Sequence, residues 1–493
     1  MPNVRDPGPA LAPGSPAPPP QGPPRVSERI AGSAANFAGR RVALLVISAL
    51  GTTLVTRLLG PNEYGQYASA IATWTLLSAA ADFGFSLVLA RDLAPDDADR
   101  SAILRAAYDV GGLWSVALTL VMVGLAVATG LSSARGQTLL VLAPSVLTLG
   151  LTSGRQVFVA LYRTRELVLI DLGIVTLQVA AQVAVAALGA GPVAVAAVVS
   201  VGTTLNAIAV GVLAHRIVGP APGHGGQRRS LIRRSLPLGL MAIMTKIYLM
   251  IDLVILGWLV TGPRLGDYAA AAKMLTLVAS VPALITNAAL PGLSVHANDR
   301  AELAALSRRL WEWMLVVSIP VLIMTTLFAP LVITVTVGPD FDGAVGLLRI
   351  LSLAGVLGVA SNLIGTILVA KSIVRPLVIQ NAVAIVLNVV ANLVLVPDYG
   401  VAAAAWITVA TEAVICTGGL IVLSRHVDLR PWLGSSTRPI GAGIVATLVG
   451  IPLVGIQVVG AAVSLLVFAV VTWRLGAWPP EFRLSRFTAR KAA

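Results

Sequence analysis

TRLLGPNEYGQYASA, residues 56–70, breaks into an apolar stretch with an arginine, a glutamate, two tyrosines and a Gly-Pro step. A second stretch, LVTGPRLGDYAAAAKM, occupies residues 259–274. Aligning Gly60-Pro61 with Gly262-Pro263 brings Gly65-Gln66-Tyr67-Ala68 onto Gly266-Asp267-Tyr268-Ala269 after a gap of one residue. Proline lacks an amide donor and restricts the residue before it, so each Gly-Pro ends a helix. Glu63 and Asp267 then fall near the start of the next helix, where a carboxylate favours the helix dipole. The tyrosines suit the headgroup level of a membrane. Each copy therefore reads as a turn between two helices.

The chain around these turns is 57% hydrophobic and 12% charged, against about 25% charged in an ordinary soluble domain. A bilayer is the simplest solvent for such a composition. Fourteen runs are long enough to span one, at 36–57, 66–90, 107–131, 137–160, 167–189, 192–214, 236–260, 267–293, 311–337, 343–370, 376–397, 400–424, 439–456 and 458–475. With the N-terminus inside, 29 of the 35 Lys and Arg residues fall in inside segments, and only Arg57, Arg135 and Arg264 in outside loops. This bias orients the protein with both termini cytoplasmic. The two copies of the turn are both outside and six spans apart, which predicts two parallel six-helix lobes related by an axis along the membrane normal.

The expected organisation is a Pro-rich tail (1–28), an N-lobe (29–218), a basic linker (219–235), a C-lobe (236–425), two further helices (426–475) and a basic tail (476–493). Residues 1–28 read as disordered and partly polyproline, with no signal-peptide core. The linker HRIVGPAPGHGGQRRSLIRRS (215–235) suits the anionic inner leaflet. The net charge of +13 reflects membrane orientation, so no nucleic-acid partner is expected. Cys416 is the single cysteine and the four histidines are scattered, so neither a disulfide nor a metal cluster is expected. No loop between spans exceeds about twenty residues, and no Gly-Lys dipeptide offers a phosphate-cradling loop. The chain reads as neither an enzyme nor an ATPase.

RLLGPNEYGQYASA, ADFGFSLVLARDLA (81–94), IYLMIDLVILGWLVTGPRLGDYAAAAKM (247–274) and LPGLS (290–294) together resemble Wzx-type polysaccharide flippases. These belong to the multidrug/oligosaccharidyl-lipid/polysaccharide exporter superfamily, and the resemblance covers residues 30–475. It implies two lobes forming a V around a central cavity, two helices outside them, and alternating access. It also implies a polyprenyl-pyrophosphate-linked oligosaccharide as cargo, carried from the inner to the outer leaflet of the plasma membrane, with a polysaccharide polymerase or glycosyltransferases as partners.

Ionisable residues inside a membrane are costly and mark functional sites by default. Asp82, Lys246, Asp252, Lys273, Arg349 and Glu412 lie within the runs. Asp252 and Lys273 have similar depths, roughly 12 and 9 Å below the outer ends of their spans at 1.5 Å per residue. They are expected to form an ion pair, structural or gating. Lys246, near mid-membrane, has no carboxylate three or four positions away. It requires an anionic cargo, a partner on another helix, or cavity water. Arg349 and Arg57 are further candidates for cargo contact, with snorkelling and interface anchoring as the alternatives. Asp82 is expected to pair with an arginine of a neighbouring helix. Glu412 is a candidate coupling carboxylate for a proton or cation of unknown identity. Asn206, Asn287, Asn362, Asn388, Asn392, Gln178 and Gln182 suit hydrogen bonding between helices or to sugar. Two other readings stand beside the flippase: a cation-coupled drug antiporter of the same superfamily, and a non-transporting membrane scaffold acting through the Pro-rich tail.

Overall fold

The computed structural model of the protein describes residues 26–95, 98–219 and 226–477. The expectations for most of the Pro-rich tail and of the basic C-terminal tail lie outside these residues. Among the described residues there is no strand. The helices are α1 (Val26–Asp82), α2 (Phe85–Asp92), α3 (Arg100–Ala128), α4 (Ala134–Leu147), α5 (Arg155–Ala160), α6 (Thr164–Ala187), α7 (Gly191–Val218) and α8 (Gly226–Leu259). They continue with α9 (Pro263–Val295), α10 (Arg300–Thr326), α11 (Ala329–Thr336), α12 (Asp342–Ala370), α13 (Arg375–Ser424), α14 (Arg430–Gly450) and α15 (Gln457–Arg474).

Eleven helices are long and apolar enough to cross a membrane, or twelve when α4 and the segment Leu149–Ala160, bent by 42°, count as one span. The expected fourteen are not recovered as separate helices. The difference lies in α1 and α13, of 57 and 50 residues. At about 1.5 Å per residue each is more than twice the thickness of a hydrocarbon core. Each holds a single non-helical residue, Gly60 (φ 67°, ψ 173°) and Gly400 (φ 65°, ψ −158°). Two other expected spans are broken. The run at 137–160 is interrupted by a 3-10 segment, Leu149–Gly154, and the run at 311–337 divides into α10 and α11 at Phe328. The basic linker is largely absorbed into α8, which is helical from Gly226.

The repeat is a repeat of backbone as well as of sequence. Gly262 (φ 75°, ψ −162°) matches Gly60 closely, and each precedes the proline that opens the following helix. Positive φ is strained for a side chain and free for glycine. The same Gly-Pro punctuation recurs at Gly191-Pro192 and Gly338-Pro339, again with positive φ. One end of the bundle, here the turn end, thus carries a set of glycine-initiated helices. The opposite, basic end carries Arg91, Arg100, Arg228 and Arg234.

At the turn end the two copies pack against each other. A Cβ on Gly65 would lie 2.6 Å from the Gly266 amide nitrogen, and one on Gly266 would fall 1.8 Å from the Pro61 carbonyl oxygen. Val55, Leu59, Tyr64 and Ala68 of α1 share one apolar cluster with Leu256 of α8 and with Leu265 and Tyr268 of α9. Tyr64 meets Phe341 edge-on at 6.1 Å. Lipid supplies no hydrophobic drive between helices, so close backbone approach through small residues is what holds such a seam. A second tight contact lies at the basic end, where a Cβ on Gly84 would sit 2.4 Å from the Gly239 amide nitrogen.

Candidate functional site

The two seams frame α8. Gly239 faces Phe83 and Gly84, while Gly257 faces Ser69 and Arg135, all in the first half of the chain. Lys246 is seven residues beyond Gly239 and eleven before Gly257. At about 100° per residue, both offsets return to within roughly 20° of the same direction. Lys246 therefore lies on the face of α8 that looks toward the first half, between the two contacts. It is exposed, and no hydrogen bond or ion pair engages it among the described residues. A close contact at a glycine of α8 lies at each end of this face, Gly239 and Gly257, and the lysine stands between them.

Another face of α8 carries a ladder of tyrosine and carboxylate. Tyr248 donates its hydroxyl proton to Glu412 Oε1 on α13. One turn further along, Asp252 Oδ2 accepts from the Tyr268 hydroxyl of α9, and Asp252 Oδ1 accepts from the Leu253 amide at 2.7 Å. Tyr268 also lies 3.4 Å from Thr408 Oγ1 on α13. Tyr248 and Asp252, like Thr408 and Glu412, are spaced i,i+4, so each helix presents its pair on one face. The ladder ties α8, α9 and α13 together.

The expected Asp252–Lys273 ion pair is not formed: among the described residues the partner of Asp252 is Tyr268, and none is found for Lys273. Asp252 and Lys273 have similar depths but their helices point them in different directions. Lys273 follows Tyr268 by five residues, which turns it about 140° away around α9. It shares a stripe with Thr276, Ser280 and Asn287, spaced three, seven and fourteen residues on.

The two arginine candidates hold helix ends. Arg57 Nη2 donates to the Thr334 carbonyl at 2.8 Å and to the Val335 carbonyl, and Nε donates to the Thr336 carbonyl at 3.2 Å. These carbonyls close α11, where free acceptors and the negative dipole end favour a cation. Arg349 Nε donates to the Thr326 carbonyl at the end of α10, at 3.1 Å. Arg135 does the same for α8, donating to the Gly257 carbonyl and, at 3.5 Å, to Val254, with its guanidinium 4.8 Å from the Trp258 ring centroid. Arg57 and Arg135 each reach from the first half of the chain to the second.

Asp82 does not meet an arginine. Ser86 Oγ donates to its Oδ1 across the break at Phe83-Gly84, where both residues have positive φ. Three of the seven amides join helices: Gln182 Nε2 donates to the Tyr67 hydroxyl at 3.3 Å, Thr286 donates to Asn362 Oδ1 at 2.6 Å, and Asn206 bonds to Asp171, whereas Asn392 bonds to Asn388 within α13.

Sequence reading missed an ionic cluster in the first half. Arg155 and Asp171 form a bidentate pair at 2.8 and 2.9 Å, and Asn206 donates to Asp171 Oδ1 at 3.0 Å. The Asp171 side chain is 3% exposed. Arg155 and Asp171 both lie inside apolar runs, at 137–160 and 167–189. Position alone was enough to mark them.

The family profile described as "Polysaccharide biosynthesis protein" matches residues 54–346. No curated protein matches the sequence. Among solved structures, the lipid II flippase MurJ in an inward closed conformation is similar at TM-score 0.71 and 13% identity, over 90% of this chain and 98% of that one. An inward-facing MATE multidrug transporter of the MOP superfamily gives 0.57 at 14% identity, over 77% and 94%. The MATE transporter DinF-BH gives 0.56 at 12% identity, over 83% and 97%. At these identities the likeness is one of fold.

Proposed function

Since the chain belongs to the polysaccharide biosynthesis protein family, we propose that it is a flippase that moves a polyprenyl-pyrophosphate-linked oligosaccharide from the inner to the outer leaflet of the plasma membrane, without catalysing a chemical step. The observation that carries this reading is the position of Lys246. It is an unpartnered, exposed cation on the face of α8 that looks toward the first half, between the contacts at Gly239 and Gly257. A free cation there suits an anionic headgroup, and the ammonium acts as a compact charge toward diphosphate. Separation of one contact at a time would open that face to one side and then the other. Both termini are cytoplasmic in this reading, and the polymerase or glycosyltransferases of the same polysaccharide are the natural partners.

A cation-coupled antiporter is the second reading. The Tyr248–Glu412 and Tyr268–Asp252 contacts favour it, because a carboxylate held by a neutral donor retains the capacity to take up a proton or cation. Glu412 serves as the coupling carboxylate in either case. Reconstitution into vesicles with a fluorescent polyprenyl-pyrophosphate oligosaccharide separates the readings. The flippase reading expects translocation by the parent protein and at least a tenfold loss, about 1.4 kcal/mol, in Lys246→Ala. It is abandoned if the parent protein leaves the cargo where it was. The role of Lys246 is abandoned if Lys246→Ala moves cargo at the parent rate.

A further inference from the structure

The two ends of this face of α8 meet the first half through different chemistry. At the turn end, Arg57 and Arg135 bond to backbone carbonyls of the second half. At the basic end, α8 is joined to the first half by side-chain ion pairs. Arg234 Nη1 lies 2.8 Å from Asp92 Oδ2 on α2, and Arg228 Nη2 bonds to Asp109 Oδ2 on α3. Both arginine side chains are about half exposed, at 52% and 51%. Beside the Asp92–Arg234 pair lies a cavity of about 450 Å³ lined by Arg91, Asp92, Ile103, Ser230, Leu231 and Arg234. The neighbouring seam is glycine on glycine, Gly84 against Gly239, and beside it Leu231 of α8 packs in one apolar cluster with Phe85, Val88 and Leu89 of α2.

We propose that Asp92–Arg234 and Asp109–Arg228 form an electrostatic latch that holds the basic end shut, and that a phosphate group entering the adjacent cavity opens it by taking Arg234 from Asp92. A guanidinium fork binds phosphate with the same bidentate geometry as carboxylate, so the exchange keeps the arginine satisfied. Half-exposed pairs contribute little, so a competing anion has a small barrier to overcome. Arg229 and Arg233, exposed on the same helix, raise the local concentration of anionic groups at the membrane surface. The phosphate has two sources, the headgroup of a cargo lipid and that of bulk anionic phospholipid. The purpose of the latch rests on the transporter reading, but its existence is measured without any movement of cargo.

The single native cysteine allows a direct test on the full chain. In a Cys416→Ser background, Ser235→Cys is the reporter. Ser235 is 0% exposed and its carbonyl lies against Gly84, so maleimide reaches it only when α8 leaves the first half. Arg234→Gln and Asp92→Asn are each expected to speed labelling about two- to fivefold, the range of a half-exposed ion pair. The exchanged pair Asp92→Arg with Arg234→Asp restores the slow rate. Inorganic pyrophosphate at constant ionic strength speeds labelling of the parent and leaves Arg234→Gln unchanged. In nanodiscs without pyrophosphate, faster labelling in phosphatidylglycerol than in phosphatidylcholine assigns the trigger to bulk lipid. Equal rates in the two lipids, with acceleration by pyrophosphate, assign it to a diphosphate headgroup. The latch is overturned if both neutralised variants label at the parent rate, or if sodium chloride of matched ionic strength accelerates labelling as much as pyrophosphate.

Discussion

Gly65 and Gly266, matched positions of the two repeated turns, lie face to face: a Cβ on the first would stand 2.6 Å from the amide nitrogen of the second. Residues that correspond by the sequence repeat thus meet in space, as they do where two related halves contact across their common axis. Conserving backbone proximity at that point leaves no room for a side chain. Gly266→Ala is expected to destabilise the protein by about 1–3 kcal/mol through overpacking against Pro61. Thermal unfolding in detergent checks this against Gly292→Ala, where the nearest atom is 3.9 Å away. If the two variants melt alike, the turns are not in contact.

Arg57 caps α11, and Arg57→Ala tests that role against contact with cargo. The expected effect is a loss of about 1 kcal/mol, discounted because the side chain is exposed. Cargo affinity, measured by titration with the lipid-linked oligosaccharide, should remain within a factor of about two, or 0.4 kcal/mol. A large loss of affinity with unchanged melting would return Arg57 to the cargo site.

The Tyr268–Asp252 contact replaces the expected ion pair. Tyr268→Phe leaves a carboxylate without its hydroxyl donor and should cost about 1–3 kcal/mol. Lys273→Met should cost less than about 1 kcal/mol, since no partner is lost. Chemical or thermal denaturation of the two variants decides the matter, and a cost for Lys273→Met equal to that for Tyr268→Phe would reinstate the lysine as partner.

Asp171 neutralises Arg155 inside the first half. Asp171→Asn removes one charge of a mostly buried pair and should cost about 3 kcal/mol or more. Asp171→Leu combined with Arg155→Met should recover most of that loss, because replacing both partners leaves no stranded charge. The folded fraction after size-exclusion chromatography is the readout, and a double variant as poor as Asp171→Asn would deny that the two residues act as a pair.

Much of the architecture was legible in one dimension. Apolar run length marked the membrane helices, although the fourteen expected spans stand as eleven or twelve separate helices among the described residues, and the Gly-Pro steps located the turns. The arginine distribution separated one end of the bundle from the other. These are local properties, written in segments of about twenty residues. Lys246 as an isolated intramembrane cation belongs with them, because isolation along the chain is visible in the chain.

Partnership was decided by tertiary structure alone. Depth in a membrane is linear in residue number, but direction turns about 100° with every residue. A helix apolar on all sides carries no polar face to reveal which way it points. Lys273 and Tyr268 differ by about 7.5 Å along α9 and by most of a half-turn in direction, and Asp252 met the tyrosine. Arg57 and Arg349 found their carbonyls because α11 and α10 end beside them, a fact of packing that no spacing encodes. The same packing turned the repeated Gly-Pro punctuation into a contact between its own two copies, and left Lys246 on the face of α8 that looks toward the first half.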